Sequence, residues 1–355
     1  MNLVTKFKKC SVVALGVFLG ATTFAQNEDR IGSAGASELL INPWARSSAW
    51  ANANVASVKG LEAQFLNVAG LAFTDRTQVK FNYTNWLAGA GISLNSAGLA
   101  QRISDQDVIA IGIQAFGFGD IDVTTVNVPE GGIGTFTPRK NIVNVAYARE
   151  FSNSIYAGLN LKIINEAIAN LSASGFALDA GVQYVTGEQD NIHFGITLKN
   201  VGPTMIFRGD GLGVPIFYQA NGMQATLQQR SASFEIPSLL SLGTSYDFIF
   251  TEDSKLTAAF NFVANSFIND TYHFGLDYGM AVRESAAFNI RAGYSFESGG
   301  FDRAISTNSL VGPTAGFSVD ALAGKNKSPL GFEYAARLSD PFGWIHTIGV
   351  TISMK

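Results

Sequence analysis

Apolar and polar residues alternate at period two along most of this chain. In "NIHFGITLKN", residues 191–200, Ile192, Phe194, Ile196 and Leu198 are apolar, whereas His193, Gly195, Thr197 and Lys199 are small or polar. Successive side chains on a β-strand point to opposite faces, so each such run predicts a strand with one apolar face. The pattern returns at residues 79–84, 155–163, 176–184, 272–280, 288–296 and 348–354. Runs separated by turn residues predict about fourteen antiparallel strands of roughly 9 to 14 residues, the length of tilted strands crossing a bilayer. Their centres fall near Phe81, Leu94, Ile111, Val145, Leu159, Ala180, Ile196, Thr244, Phe260, Leu276, Ile290, Val319, Tyr334 and Val350.

The connections carry a second signal. Short polar turns start at Ser104, Ser152, Gly187, Thr251, Arg283 and Lys325, and the long connections 120–140, 201–235 and 297–313 alternate with them. Short and long therefore gather at opposite ends, as in outer-membrane barrels, where short turns are periplasmic and long loops extracellular. An even strand count puts both chain ends on the short-turn side. The expected fold is all-β: a transmembrane antiparallel barrel over residues 77–355 in the outer membrane of a Gram-negative cell, with both termini periplasmic. A soluble β-sandwich also alternates, but its polar face carries more charge than these strands do. Charged residues make up 15% of the chain, against about 25% in ordinary globular domains. The polar face holds mainly Gly, Asn, Ser and Thr, with isolated charges such as Lys162, Asp179, Lys199, Asp277, Arg291, Asp320, Glu333 and Arg337 that can pair across a lumen.

Faces assigned in this way have a mutational consequence. Phe194→Arg should cost about 2–4 kcal/mol near the midplane, and Thr197→Arg, on the lumenal face, should be borne far better.

Two segments depart from the alternation. Lys6, Lys8 and Lys9 precede the apolar run from Ser11 to Ala25, which ends in Thr-Phe-Ala before Gln26. That order predicts a signal peptide over residues 1–25, too short for a comfortable membrane span. The single cysteine, Cys10, lies within it, so disulfide and thiol chemistry is not expected in the mature protein. Residues 26–76 are rich in Ala, Ser and Asn with helix-compatible spacing around Trp44, Trp50 and Leu61. They predict an N-terminal helical plug in the barrel mouth, because Trp44, Trp50, Phe65 and Leu66 are too apolar to stay solvated.

The segment "GASELLINPWARSSAWANANVASVKGLEAQFLNVAGLAF" from Gly35 and the following "VKFNYTNWLAGAGISL" resemble the PorV/PorQ family of Bacteroidetes, which shares the fold of the FadL-type long-chain fatty-acid transporters. Asn67, Ala69, Gly70 and Leu71 match the Asn-Pro-Ala-Gly-like element of the family's hatch, with Val68 where proline is usual. The resemblance implies a non-enzymatic component of the type IX secretion system that docks beside the translocon and receives exported cargo proteins. Cargo would meet the long loops, where Phe207, Ile216, Phe217, Tyr218, Leu227 and Phe301 are the apolar candidates. The same loops could instead fold inward and close the barrel. The alternative function is a FadL-like transporter of long-chain hydrophobic molecules, which requires a continuous apolar pocket of about 300 Å³ or more beneath the loops. Partners are thus outer-membrane lipid, the translocon and cargo, or a hydrophobic small molecule in the lumen.

Other chemistry has little support. A net charge of −4 without a basic cluster past the first ten residues argues against nucleic acid. His193, His273 and His346 lie on separate strands without metal-site spacing, so no metal and no cofactor is expected. Carboxylates such as Asp277, Asp320 and Glu333 are better explained as ion-pair partners than as an acid/base pair. "GGIG" at Gly131 and "GDGLG" at Gly209 lack the following helix that a phosphate cradle needs.

Overall fold

The computed structural model describes residues 30–217, 224–282, 286–298, 308–323 and 328–354. The expected signal peptide and Cys10 lie outside them. Fourteen antiparallel strands form a closed barrel: β1 (Thr77–Leu87), β2 (Ile92–Arg102), β3 (Asp107–Gly117), β4 (Arg139–Ser152), β5 (Ile155–Ile168), β6 (Leu171–Thr186), β7 (Ile192–Val201), β8 (Leu239–Thr251), β9 (Ser254–Asn265), β10 (Thr271–Val282), β11 (Ala286–Glu297), β12 (Gly312–Ala323), β13 (Ser328–Ser339) and β14 (Gly343–Met354). Every one of the expected strand centres falls inside its strand. The first and last strands close the wall, with Thr77 opposite Met354 and Asn85 opposite His346. Closure leaves no unpaired sheet edge, which is what allows strands to cross a hydrocarbon layer.

The alternation places the apolar set outward. Phe81, Ile111, Leu159, Phe194, Leu276 and Ile290 are exposed on the outer surface, whereas Lys80, Lys162, His193, Thr197 and Arg291 are buried within. Tyr147, Tyr184, Tyr246 and Tyr278 sit towards the short-turn ends of their strands, and Tyr294 and Trp344 towards the long-loop ends. Such aromatic girdles mark the two membrane–water boundaries. The connections 103–106, 153–154, 187–191 and 252–253 are short and lie at one end, while 118–138 and the described residues of 202–238 and 298–311 lie at the other.

The plug corrects one expectation. Instead of a helical unit, it is a string of single turns: 3₁₀ turns at Ser37–Leu40, Asn54–Ala56, Gly60–Gln64 and Val68–Phe73, and a five-residue α-helix at Ala45–Ala49. Helix propagation is interrupted by Pro43, by the left-handed backbone of Ala36, Ala51 and Asn52 (φ 49°, 59° and 61°), and by Gly60 (φ 71°). What apolar residues such as Trp44, Leu61 and Leu71 encode is burial against the wall. These residues pack with Val55, Phe65 and the inward-facing Ala100, Val108, Ala146 and Ala148 of the strands.

A second apolar cluster caps the plug at the long-loop end. Leu39 packs with Phe116, Ile164, Met205 and Ile236, and Phe118, Phe207 and Phe234 lean on the same cluster.

Candidate functional site

The lumen is the one concave region that the whole sequence pattern converges on, and the plug fills it. Strand glycines make this possible. Gly98 faces Gly112 across β2 and β3, Gly158 faces Gly181 across β5 and β6, Gly195 faces Gly243 across β7 and β8, and Gly275 faces Gly293 across β10 and β11. Together they form a belt of missing side chains on the inner wall, and plug atoms occupy the space. A Cβ at Gly195 would lie 2.6 Å from the carbonyl oxygen of Val55, and one at Gly275 would lie 2.7 Å from that of Trp50. Neither plug backbone nor wall backbone can give way by that much without moving the turn.

The hatch element does local work within this contact. Asn67 is fully buried; its side-chain oxygen accepts from the backbone N–H of Ala69 (3.3 Å), capping the turn Val68–Phe73. Its amide donates to the carbonyls of Val55 (3.1 Å) and Val182 (3.0 Å), joining two plug turns to β6. A Cβ at Gly70 would overlap the carbonyl of Val58, and Ala69 and Leu71 are wholly enclosed. These four residues, predicted as a motif, serve to seat the plug.

Buried charges tie the plug to the wall. Arg46 of the plug reaches Asp320 on β12 (2.5 Å) and Glu333 on β13 (2.6 Å). Glu333 also pairs with Lys80 on β1 (2.6 Å) and accepts from Thr351 on β14 (2.6 Å). Lys80 in turn pairs with Glu62 of the plug, which accepts from the backbone N–H of Ser47 (2.9 Å). Burial works against the charge on Arg46, but Glu333 and Asp320 outweigh it and hold the guanidinium protonated, above its ordinary value. Elsewhere Lys162 meets Asp179 (2.8 Å), Lys140 meets Glu38 (2.8 Å) and Glu166 (3.2 Å), and Arg291 meets Asp277 (3.1 Å). Arg46, Glu62 and Lys80 were not singled out in the sequence, although Lys80 occupies an inward position of an alternating run.

The histidines are held structurally. Nδ1 of His273 lies 2.7 Å from the carbonyl of Ala51 and Nε2 lies 2.9 Å from Thr271, while Nε2 of His193 lies 3.7 Å from Asp247. His346 is on the outer face against the hydroxyl of Tyr334 (2.8 Å). Among the described residues no group of His, Cys, Asp and Glu is placed to hold a metal ion.

Among the described residues, two lumenal cavities flank the plug. One of about 280 Å³, towards the short turns, is lined by charged and polar groups including Lys59, Glu62, Asp247 and Arg291. The other, of about 70 Å³ and towards the long loops, lies among Leu66, Lys199, Leu239, Val263, His273 and Arg337. Apolar hollows of about 440 and 410 Å³ belong instead to the outer wall, around Phe81, Ile113 and Val350, and around Ile111, Tyr147 and Leu161.

The loop candidates separate. Phe207 is turned inward, 5.6 Å from the ring of Phe234, so it is not an exposed loop tip. Ile216 is half-buried in a hairpin, Gly213–Phe217 paired with Gln224–Gln228. On that hairpin Leu227 is 55% exposed and stands opposite the exposed Val214. Tyr218 and Phe301 lie outside the described residues, as does the side chain of Phe217.

The family described as "Type IX secretion system protein PorV" matches residues 24–272. No curated protein matches the sequence. Among solved structures, the Pseudomonas putida toluene transporter TodX superposes with a TM-score of 0.55 at 12% identity, covering 88% of this chain and 98% of that one. A Pseudomonas aeruginosa FadL homologue gives 0.53 at 12% identity, with 87% and 98% covered. The Ralstonia pickettii toluene transporter TbuX gives 0.51 at 12% identity, with 82% and 92% covered. Likenesses at this identity establish a shared FadL-like barrel fold.

Proposed function

Since the chain belongs to the PorV family of type IX secretion system proteins and is an outer-membrane β-barrel, we propose that it binds the secretion translocon, exported cargo proteins or both, and helps deliver cargo to the cell surface. The observation that carries this reading is the occupied lumen. Plug backbone rests on the glycine belt, and the ion network around Glu333 pins it, so binding is assigned to outer and loop surfaces. The hairpin carrying Val214 and Leu227 is the first of these, because paired apolar side chains exposed on a loop favour a partner. On this reading the short turns and both chain ends are periplasmic, which the loop asymmetry supports, and cargo meets the long-loop side.

Hydrophobe transport is the second reading, favoured by the fold shared with two toluene transporters. Against it stand the lumenal cavities, one lined by charges and the other well short of the roughly 300 Å³ of a small-molecule site.

A C-terminally tagged copy purified from its own outer membrane in mild detergent, with mass spectrometry of proteins and extracted lipids, tests the choice. Co-purification of a very large translocon barrel, or of secreted proteins sharing a C-terminal domain, is the expected result. Recovery of the barrel alone with a stoichiometric hydrophobe would replace this reading with transport.

A further inference from the structure

Lys199 and Arg337 are only 4% and 7% exposed, and both line the 70 Å³ cavity above the plug. Among the described residues neither has a salt bridge. This sets them apart from Arg46, Lys80, Lys140, Lys162 and Arg291, each of which has a carboxylate within 3.2 Å. Arg337 reaches only the Asn52 side chain, 3.3 Å from Nη2 when that amide turns its oxygen towards it, and its Nε has no acceptor. Lys199 has only the face of Phe65, 3.8 Å from Nζ to the ring centroid.

The wall itself is altered here. Leu178 pairs with Val201 and Ala180 with Leu198, so Asp179 of β6 stands opposite both Lys199 and Asn200. This is a β-bulge, with Asn200 in the left-handed region (φ 59°), and it leaves Lys199 and Asn200 both buried. Asp179, the nearest carboxylate, is not available to Lys199. It accepts from Lys162 (2.8 Å), from the backbone N–H of Asn200 (2.8 Å) and from Asn160 (3.1 Å). Glu333, two repeats of the alternation before Arg337 on the same strand, is engaged by Arg46, Lys80 and Thr351. A buried cation without a counter-charge is costly to a fold, and a bound anion offsets that cost.

From this we infer that the cavity is a binding site for a carboxylate carried on a short apolar stem, with Lys199 and Arg337 as its charge partners. Leu40, Leu66, Leu239 and Val263 give the stem an apolar wall. The volume admits a carboxylate and a few carbons and excludes a long acyl chain lying within the lumen. A free carboxylic acid and the terminal carboxylate of a polypeptide share this chemistry. The inference rests on the cavity alone and stands whether or not the barrel binds the translocon.

The test uses the purified full-length barrel in a non-ionic detergent, with hexanoate, hexanol, and a short acetylated peptide ending in leucine as either free acid or amide. Hexanoate should raise the thermal midpoint in a saturable manner and hexanol should not. Lys199→Met and Arg337→Met should each weaken hexanoate binding tenfold or more, with ligand-free midpoints unchanged or raised. A stronger effect of the peptide acid than of its amide assigns a polypeptide terminus, and equal peptides assign a free acid. Equal shifts with hexanoate and hexanol, or no response to hexanoate and peptide acid alike, would overturn the site without any variant. A fall in the ligand-free midpoints, or a variant that does not fold, would overturn it too, since both residues would then be structural.

Discussion

Two clusters of buried charge lie against the same plug, and they are settled in opposite ways. Around Glu333, Arg46, Lys80 and Glu62 each find an opposite charge. At the cleft of Lys199 and Arg337, Asp179 is bound elsewhere, and among the described residues no carboxylate pairs with Arg337. The first arrangement costs its desolvation once and returns it in paired geometry; the second leaves the penalty standing. One cluster holds the molecule together, and the other is held open by the molecule.

Mutations can break or sharpen that contrast. The largest effect is expected at Glu333→Ala, which removes the carboxylate shared by Arg46 and Lys80, leaving each a single partner in the interior, and should cost about 3–5 kcal/mol, read by urea unfolding of the detergent-solubilised barrel. A cost no greater than that of Lys199→Met would erase the distinction between the clusters. Phe194→Arg, 46% exposed on the lipid face, should cost about 2–4 kcal/mol in vesicles. Because it touches neither cluster, it calibrates the contribution of the wall alone. Gly195→Leu drives a side chain into the backbone of the plug at Val55 and should cost about 1–3 kcal/mol. Its measured signature is proteolytic release of the plug before the barrel unfolds, and a plug that stays protected would contradict the belt. Leu227→Asp, on the loop hairpin, should change stability by less than about 0.5 kcal/mol and reduce the recovery of co-purifying secretion proteins. Undiminished recovery would move the contact off this hairpin.

The wall was legible because its signal is local. Ile192, Phe194, Ile196 and Leu198 need only their immediate neighbours to declare a face, and each predicted centre from Phe81 to Val350 lies in a strand. The plug was legible as buried but not as a shape, because Pro43, Gly60 and the left-handed Ala51 and Asn52 set its turns one by one. Strand glycines such as Gly181 and Gly275 were visible as a small inner face. Their meaning depends on Asn67 and Trp50, more than a hundred residues away, and no periodicity records such a pairing. For the same reason the lumenal face looked tolerant. Thr197 is 1% exposed and donates to the carbonyl of Ala180, so an arginine there meets packed protein instead of solvent. Both faces of β7 therefore resist that substitution, one through lipid and one through the plug. Phe207 shows the limit of reading exposure from loop position, since its long connection folds back over Leu39 and Phe234.

The position of Glu333 has a further consequence. A cylinder made from one chain has a single line where its beginning meets its end, here between β1 and β14, with Lys80 directly opposite Thr351. Thr351 grips Glu333 from the strand beside it and Lys80 from across the line, and Arg46 and Glu62 join the same knot from within. The plug is thus a clasp as well as a stopper: any sideways parting of the wall at that line must first unfasten it.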